Sequence, residues 1–241
     1  MSTNKSTKLS DYVEYPFLIP SIYLDFNICV DFVEVQSSMI IEPKLKESSR
    51  LILQGNQIKL LSISINGKEL NSEEYYISPN ELIIFNPPIS KFELKLISQI
   101  DPFRNTSLEG LYLSSGMLTT QCEAEGFRSI CYHPDRPDVL SNFTVRVEAD
   151  RDLYPILLSN GNKKYSGNLN NNRHEIVWDD PFPKPSYLFA LVAGKLNTVS
   201  DKYVTKSGRL IDIKIYVETG DEKYTQHAIT SLKKAMKWDE D

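Results

Sequence analysis

Along most of the chain, apolar and polar residues alternate with a period of two, which is the pattern of a β-strand that buries one face. Segments with this alternation are 22–32, 61–65, 92–96, 143–149 and 211–217. Asn66-Gly67 follows one of them and predicts a type I′ hairpin, because both residues tolerate a positive φ. These short strands predict a mainly β fold, a sandwich or saddle of antiparallel sheets.

Three further segments lack the alternation but end at turn residues. The apolar runs 82–85 and 156–158 stop before Pro87-Pro88 and before 159–161, and both are predicted as short strands. The run 187–193 is continuously apolar, which predicts a strand buried on both faces. An Asn-rich stretch around 168–172 is predicted to be a loop tip.

The end of the chain has a different period. From Asp221 onward the apolar residues recur at helical spacing, and one face of the predicted helix carries Tyr224, Ala228, Leu232, Ala235 and Met236. A helix with an apolar stripe needs a surface to pack against. We therefore predict two parts, a β domain at 1–196 and the incomplete start of a second domain at 197–241.

The 241 residues carry a formal net charge of -5, which argues against a nucleic acid or an anionic membrane surface as partner. Three cysteines without a CxxC pair do not form a disulfide framework and suit a reducing compartment. The first ten residues lack the apolar core of a secretory signal, and no apolar stretch has the length of a membrane helix. We therefore expect a cytoplasmic location and no membrane partner.

The sequence motifs indicate no complete catalytic or metal site. The three histidines are His133, His174 (predicted at a strand edge) and His227 (on the final helix), and none lies in an H-E-x-x-H motif. The serine-hydrolase motif G-x-S-x-G and the phosphate-binding glycine loops are also absent from the sequence.

Residues 119–138 hold the densest set of chemically active side chains. Two interpretations remain open: a polar loop shaped by Arg–carboxylate pairs, or a wall that presents carboxylates to a cation. Glu123 and Glu125 would share one side of an extended segment, either as an acid/base pair or as two solvated acids. Cys131 and His133 would also point the same way, but a reactive thiol needs a base in contact with it.

Five long motifs in this order resemble the amino-terminal region of the aminopeptidase N family, in the bacterial alanyl aminopeptidase branch of the gluzincin zinc aminopeptidases. They are TQCEAEGFR at 120–128, DRPDVL at 135–140, YPILLSNG at 154–161, DPFPKPSYLFALVAG at 180–194 and SLKKAMKWDE at 231–240. The resemblance runs from about residue 23 to the last residue and is densest from residue 108.

This resemblance implies a β-rich saddle domain at 1–196, followed by the first strands and helix of a thermolysin-like catalytic domain at 197–241. The family's G-A-M-E-N and H-E-x-x-H motifs would come later and are absent from this sequence. The chain is therefore expected to contribute no catalytic residue and no metal ligand, and to be inactive alone. One zinc ion is expected in the full-length family member.

The resemblance also implies roles for individual residues. Glu123 matches the family's glutamate that binds the free α-amine of the substrate, and Gln121 matches a residue lining the pocket for the first side chain. The peptide bond after Glu123 is expected to be cis. Arg128 and the 135–138 turn are expected to hold this loop, and Ser186 stands where relatives often have cysteine.

Two partners follow from the resemblance: the amino terminus of a peptide substrate and the remaining aminopeptidase chain with its catalytic domain. One alternative is a stand-alone β-domain or subunit that captures peptide amino termini without catalysis. Another is a structural β-sandwich with no retained role, although the intact 120–128 motif argues against it.

Overall fold

The computed structural model describes residues 8–44 and 49–241, and this part of the chain contains seventeen strands and one α-helix. The elements before the site are β1 Phe17–Ile28, β2 Val33–Pro43, β3 Leu51–Gln54, β4 Lys59–Ile65, β5 Lys68–Glu69, β6 Tyr75–Ile77, β7 Glu81–Ile84, β8 Phe92–Ile100 and β9 Gly110–Ser114. The others are β10 Met117–Gln121, β11 Leu140–Asp150, β12 Ile156–Ser159, β13 Asn162–Asn168, β14 Arg173–Pro185, β15 Leu191–Gly194, β16 Asn197–Val204, β17 Leu210–Val217 and α1 Thr225–Glu240.

Within the described ranges the strands form four sheets. The largest has eight strands in the order β13-β14-β11-β1-β2-β8-β4-β5, and the second has four in the order β12-β15-β10-β9. A three-stranded sheet, β3-β7-β6, and the hairpin β16-β17 complete the set. Strands β1 and β11 pair in parallel, whereas the other recorded pairs are antiparallel, so the predicted mainly β, largely antiparallel class is confirmed.

One hydrophobic core lies between the sheets and extends along the chain from Tyr15 to Ala193. Strands β1 and β11 of the large sheet supply Phe26 and Phe143, whose rings lie near that of Phe189, just before β15. Phe127 lies edge-on to Phe143 and Phe189, with ring centroids 5.9 and 5.2 Å away. Packed aromatic rings of this kind fix the short turn that contains Phe127 against the large sheet.

Most strand predictions are confirmed. The segments 61–65, 82–85, 92–96, 143–149, 156–158 and 211–217 coincide, within a few residues, with β4, β7, β8, β11, β12 and β17. The Asn66-Gly67 turn has φ of 49° and 78°, as its type I′ prediction requires. The Asn-rich stretch forms the turn between β13 and β14.

Two strand predictions were wrong in part. The predicted strand 22–32 begins earlier, at Phe17, and ends at Ile28, where Cys29 N donates to Phe32 O and closes a turn. The alternation runs on across this turn because no Gly or Pro marks it. The run 187–193 divides into a 3-10 turn, Ser186–Leu188, and β15, because the chain turns before the strand begins and leaves Leu188 half exposed.

Other features of the large sheet were not predicted. His174 was placed at a strand edge; it is the second residue of β14, which lies inside the sheet between β13 and β11. No predicted segment covered β2, β13 or β14 of this sheet, or β3, β6, β9 and β10 of the other sheets. Buried and exposed residues do not alternate along β14, so a search for period-two alternation could not detect this strand.

The predicted final helix exists, and the residues that it buries against this chain differ from its predicted apolar stripe. Thr225 and Ile229 are the buried residues of α1, whereas Tyr224 is 69% and Leu232 43% exposed. The helix packs toward β16 and β17, where Tyr203 donates a hydrogen bond of 2.8 Å to Glu240 Oε2. The hairpin therefore leaves Tyr224 and Leu232 of the predicted apolar stripe uncovered.

Candidate functional site

The candidate site begins where β10 ends at Gln121, and the name site loop is used here for residues 121–128. Gln121 and Glu123 are both exposed, and Gln121 Nε2 donates a hydrogen bond of 3.1 Å to Glu123 O. The Glu123–Ala124 peptide bond is cis, as the family resemblance implied. The structure thus brings the two predicted site residues together at the surface.

The site loop is closed by a turn that only glycine fits. Gly126 N donates to Cys122 O at 2.8 Å, and a Cβ at Gly126 would lie 2.3 Å from Gln121 O. Gly110 of β9 lies against the same point, since its own Cβ would be 3.1 Å from Gly126 O. Two glycines therefore allow the backbones of β9 and the site loop to approach each other directly.

The buried carboxylate of Asp135 holds the site loop from beneath. Its Oδ2 accepts hydrogen bonds from Arg128 N at 3.0 Å and from Arg128 Nε at 3.1 Å. Its Oδ1 accepts from Ser186 Oγ at 2.5 Å. The far side of the guanidinium reaches the loop, where Arg128 Nη1 lies 3.2 Å from Glu125 Oε2. Arg128 and Asp135 therefore make the scaffolding contacts that the sequence predicted.

The two glutamates of the site loop have different surroundings. Glu125 forms an ion pair with Arg128, whereas Glu123 lies at the exposed tip beside Gln121. The interpretation of residues 119–138 as a loop shaped by Arg–carboxylate pairs is thus confirmed for Glu125. This arrangement argues against an acid/base pair of Glu123 and Glu125, because Arg128 forms an ion pair with Glu125 alone.

The second half of the 135–138 turn binds the amino-terminal segment. Arg136 forms a two-pronged ion pair with Asp138, and it also donates to Val13 O at 2.7 Å. The Tyr12 hydroxyl donates to Asp138 Oδ2 at 2.9 Å. Arg136, followed by Tyr12, lowers the pKa of Asp138 to about 2.

The thiols near the site are poor nucleophiles. Cys122 and Cys131 are buried, and burial raises the pKa of each thiol to about 12. Cys131 Sγ contacts Tyr132 O at 3.4 Å. Since the thiolate is the reactive form, this geometry argues against nucleophilic chemistry by either cysteine.

His133 lies in the core behind the site loop. It is fully buried, edge-on to Phe127 with 5.2 Å between ring centroids. Neither ring nitrogen has a hydrogen-bond partner within the described residues. Burial lowers the pKa of His133 to about 4, so the imidazole is neutral near pH 7.

Residues 19–188 match the family described as the peptidase M1 N-terminal domain. The chain belongs to this family. The match agrees with the resemblance that the five sequence motifs carried, to the amino-terminal region of a metallopeptidase family.

Individual relatives agree with this assignment. The chain is 45% identical to aminopeptidase N of Caulobacter vibrioides over 239 residues, which are 99% of this chain and 28% of that protein. The crystal structure of Legionella pneumophila aminopeptidase A in complex with aspartic acid superimposes with a TM-score of 0.91 at 36% identity, covering 97% of this chain and 28% of that one. An M1 zinc metallopeptidase from Deinococcus radiodurans shares the fold, with a TM-score of 0.71 at 16% identity over 86% of this chain and 49% of that one. The chain thus spans little more than a quarter of the first two relatives.

The described part of this chain offers no set of residues that could bind the zinc ion of the M1 metallopeptidases. No group of three or more His, Cys, Asp or Glu side chains there is placed to hold a metal ion. The histidines lie apart: His133 in the core, His227 on the exposed side of α1, and His174 bound through Nε2 to Tyr154 O at 2.8 Å. The histidines of the described residues therefore do not fit a zinc site.

Sequence reasoning missed two residues that support the site loop from distant parts of the chain. Gln54 Oε1 accepts a hydrogen bond of 3.1 Å from Asp135 N, and Asn56 N donates to Arg128 O at 2.8 Å. Gln54 is the last residue of β3 and Asn56 follows that strand, about seventy residues before the site loop, and nothing in their local sequence marks them. Separately, none of the helices in the described ranges has the length and apolarity needed to cross a membrane.

Proposed function

We propose that this chain is the substrate-anchoring N-terminal domain of a zinc aminopeptidase that removes amino-terminal residues from peptides. Glu123 binds the free α-amine of the substrate, and Gln121 lines the pocket for its first side chain. The observation that carries the proposal is the site loop itself, in which Glu123 is exposed while a buried scaffold holds the backbone around it.

The chemistry of the loop supports this assignment. A carboxylate at a fixed position forms a charge-assisted hydrogen bond with an ammonium group, and a blocked amino terminus cannot form it. Gln121 stabilises the loop through Glu123 O and leaves the carboxylate free to face the ligand. The arrangement therefore favours peptides with a free amino terminus.

The remaining aminopeptidase chain, with its catalytic domain, is the second partner that we propose. Residues 1–196 form the anchoring domain and 197–241 begin the catalytic one. The core from Tyr15 to Ala193 supports this boundary, because Ile213 and Ile229 are buried outside that cluster. The exposed apolar stripe of α1 offers a surface for the rest of a catalytic domain. The zinc ion would be held there, this chain alone would be inactive, and the protein would act in the cytoplasm.

Peptide binding tests the role of Glu123. We expect a short peptide with a free amino terminus to shift the backbone amide resonances of the site loop in an NMR titration of the 15N-labelled chain. The same peptide with an acetylated amino terminus should leave them unchanged. Equal shifts from both peptides, or shifts confined to other surfaces, would contradict the proposal.

Two variants sharpen this test. Glu123→Gln keeps the size of the side chain and removes its charge, so the response to the free amine should be lost. Glu125→Gln is the matched control, because Glu125 already forms an ion pair with Arg128. Loss of the response in both variants would assign it to the general charge of the loop.

Catalytic inactivity is tested separately with an aminoacyl-arylamide substrate in the presence of zinc. We expect no release of the arylamine by the purified chain. Clear turnover, abolished by a chelator, would show that a catalytic site exists within this chain.

A stand-alone module that captures peptide amino termini is the alternative function. The continuous core from Tyr15 to Ala193 favours it, because such a core can fold without further partners. The DNA that follows the codon for Asp241 distinguishes the two. A reading frame with G-A-M-E-N and H-E-x-x-H supports the aminopeptidase, and an unrelated sequence after a stop codon supports the module.

A further inference from the structure

We infer that Asp135 is a positioning residue for Glu123, that it acts through Arg128, and that the hydroxyl of Ser186 keeps its carboxylate in place. This role rests on the proposed function, because the direction of Glu123 matters to a substrate only if Glu123 binds the amine.

The two edges of the Arg128 guanidinium bind different partners. The Nε and Nη2 edge binds Asp135, with Nε 3.1 Å from Oδ2 and Nη2 3.1 Å from Asp135 O. Nη1 points to the other side and lies 3.2 Å from Glu125 Oε2. A planar, rigid fork held along one edge presents its other edge in a fixed direction. Asp135 therefore determines where Arg128 meets the loop, two residues beyond Glu123.

Asp135 also binds the backbone of the loop. The N–H of Arg128 donates to the same Oδ2 at 3.0 Å, directly after the turn closed by Gly126. The carboxylate thus fixes both the side chain and the main chain of Arg128. The exposed tip at Glu123 lies between this anchor and the end of β10 at Gln121.

Ser186 completes the anchor from another part of the chain. Its hydroxyl is buried, at 1% exposure, and donates to Asp135 Oδ1 at 2.5 Å. The Asp135 side chain is likewise only 1% exposed. A buried carboxylate oxygen without a donor is costly, so removing the hydroxyl favours a shift of Asp135 away from Arg128.

Amide hydrogen exchange in the full chain measures this directly, without any ligand. The N–H groups of Gly126 and Arg128 report the two bonds that close the loop, and the N–H of Val147 in β11 reports the core. In Ser186→Ala we expect exchange about tenfold faster at Gly126 and Arg128, with Val147 unchanged. Asp135→Asn should have the same pattern with a larger effect.

Two matched variants test whether the effect is specific. Asp138→Asn removes the other carboxylate of the same turn, which binds Arg136 and Tyr12, and it should leave exchange at Gly126 and Arg128 unchanged. Ser186→Cys restores a small donor and should bring exchange back toward the unsubstituted chain.

Unchanged exchange at Gly126 and Arg128 in Ser186→Ala would overturn the role of Ser186 and Asp135. Equal acceleration at Val147 would overturn it as well, because the effect would then be general destabilisation. If Asp135→Asn fails to fold, amide exchange in Ser186→Ala alone tests the positioning role. Failure of the peptide titration would refute the proposed function of Glu123 and leave the exchange result unaffected, so the two failures are distinguishable.

Discussion

The side-chain amide of Gln121 donates a 3.1 Å hydrogen bond to the backbone carbonyl of Glu123. The residue at the end of β10 thus bridges the loop that follows it. Since both residues are exposed, the bond stabilises the local shape of the site loop more than the whole fold.

Gln121→Ala removes this bond. We expect faster motion of the backbone at residues 123 and 124, measured by 15N relaxation, and a change of less than about 0.5 kcal/mol in the free energy of unfolding in urea. Gln121→Glu is the control for size, because it keeps the length of the side chain but lacks the amide donor. A rigid loop in both variants would show that the bond does not shape it.

Gly126→Ala should destabilise the chain through steric overlap. The new Cβ would lie 2.3 Å from Gln121 O, a contact with backbone that the loop cannot relieve without moving. We expect a loss of about 2 kcal/mol in urea unfolding, typical of overpacking at a close approach.

Gly116→Ala is the matched control for Gly126→Ala. Gly116 has a φ of +80° and open space around its Cβ, so the substitution should cost only the left-handed backbone penalty of about 1 kcal/mol. If the two variants lose equal stability, the close approach of the backbones is not the cause.

Acid should destabilise the fold through His133. Burial lowers its pKa from 6.5 to about 4 in the folded state, so the unfolded chain takes up a proton that the folded chain excludes. The contribution of His133 to the free energy of unfolding is therefore unchanged above about pH 6.5. Between about pH 6.5 and about pH 4 it lowers the free energy of unfolding, by about 3 kcal/mol at most. Asp135 opposes the shift in part.

Chemical unfolding at a series of pH values checks this, with His133→Leu as the variant. The variant should lose most of the slope of stability between pH 6.5 and 4. His227→Gln, an exposed position on α1, should keep it. An unchanged slope in His133→Leu would assign the acid sensitivity to other groups.

The hairpin β16-β17 and α1 should unfold locally before the rest of the chain. Their buried apolar residues are Ile213 and Ile229, which lie outside the main core. Ile229→Ala should therefore accelerate amide exchange in β16 and β17, at a local cost of about 2–4 kcal/mol, and leave β11 unchanged. Leu232→Ala, at an exposed site, should change neither. Equal acceleration in β11 would indicate one cooperative unit and contradict a boundary near residue 196.

The sequence by itself determined the class of the fold, about half of the strand positions and the final helix. Period-two alternation reports which residues can share a buried face, and Asn66-Gly67 reports a turn through its backbone preferences. Both signals are local, so they can be read from the sequence without knowing which strands pair. The motif at 120–128 carried the family resemblance that pointed to the site loop, and the binding role of that loop stays a prediction.

Only the tertiary structure decided which surfaces meet. The packing face of α1 is Thr225 and Ile229 rather than the stripe at Tyr224, because the hairpin it meets determines which side is covered. The support of the site loop by Gln54 and Ser186 joins residues far apart in the sequence, and no local pattern encodes such contacts. The ion pair of Glu125 with Arg128 also depends on the turn closed by Gly126, which an extended-strand prediction could not place.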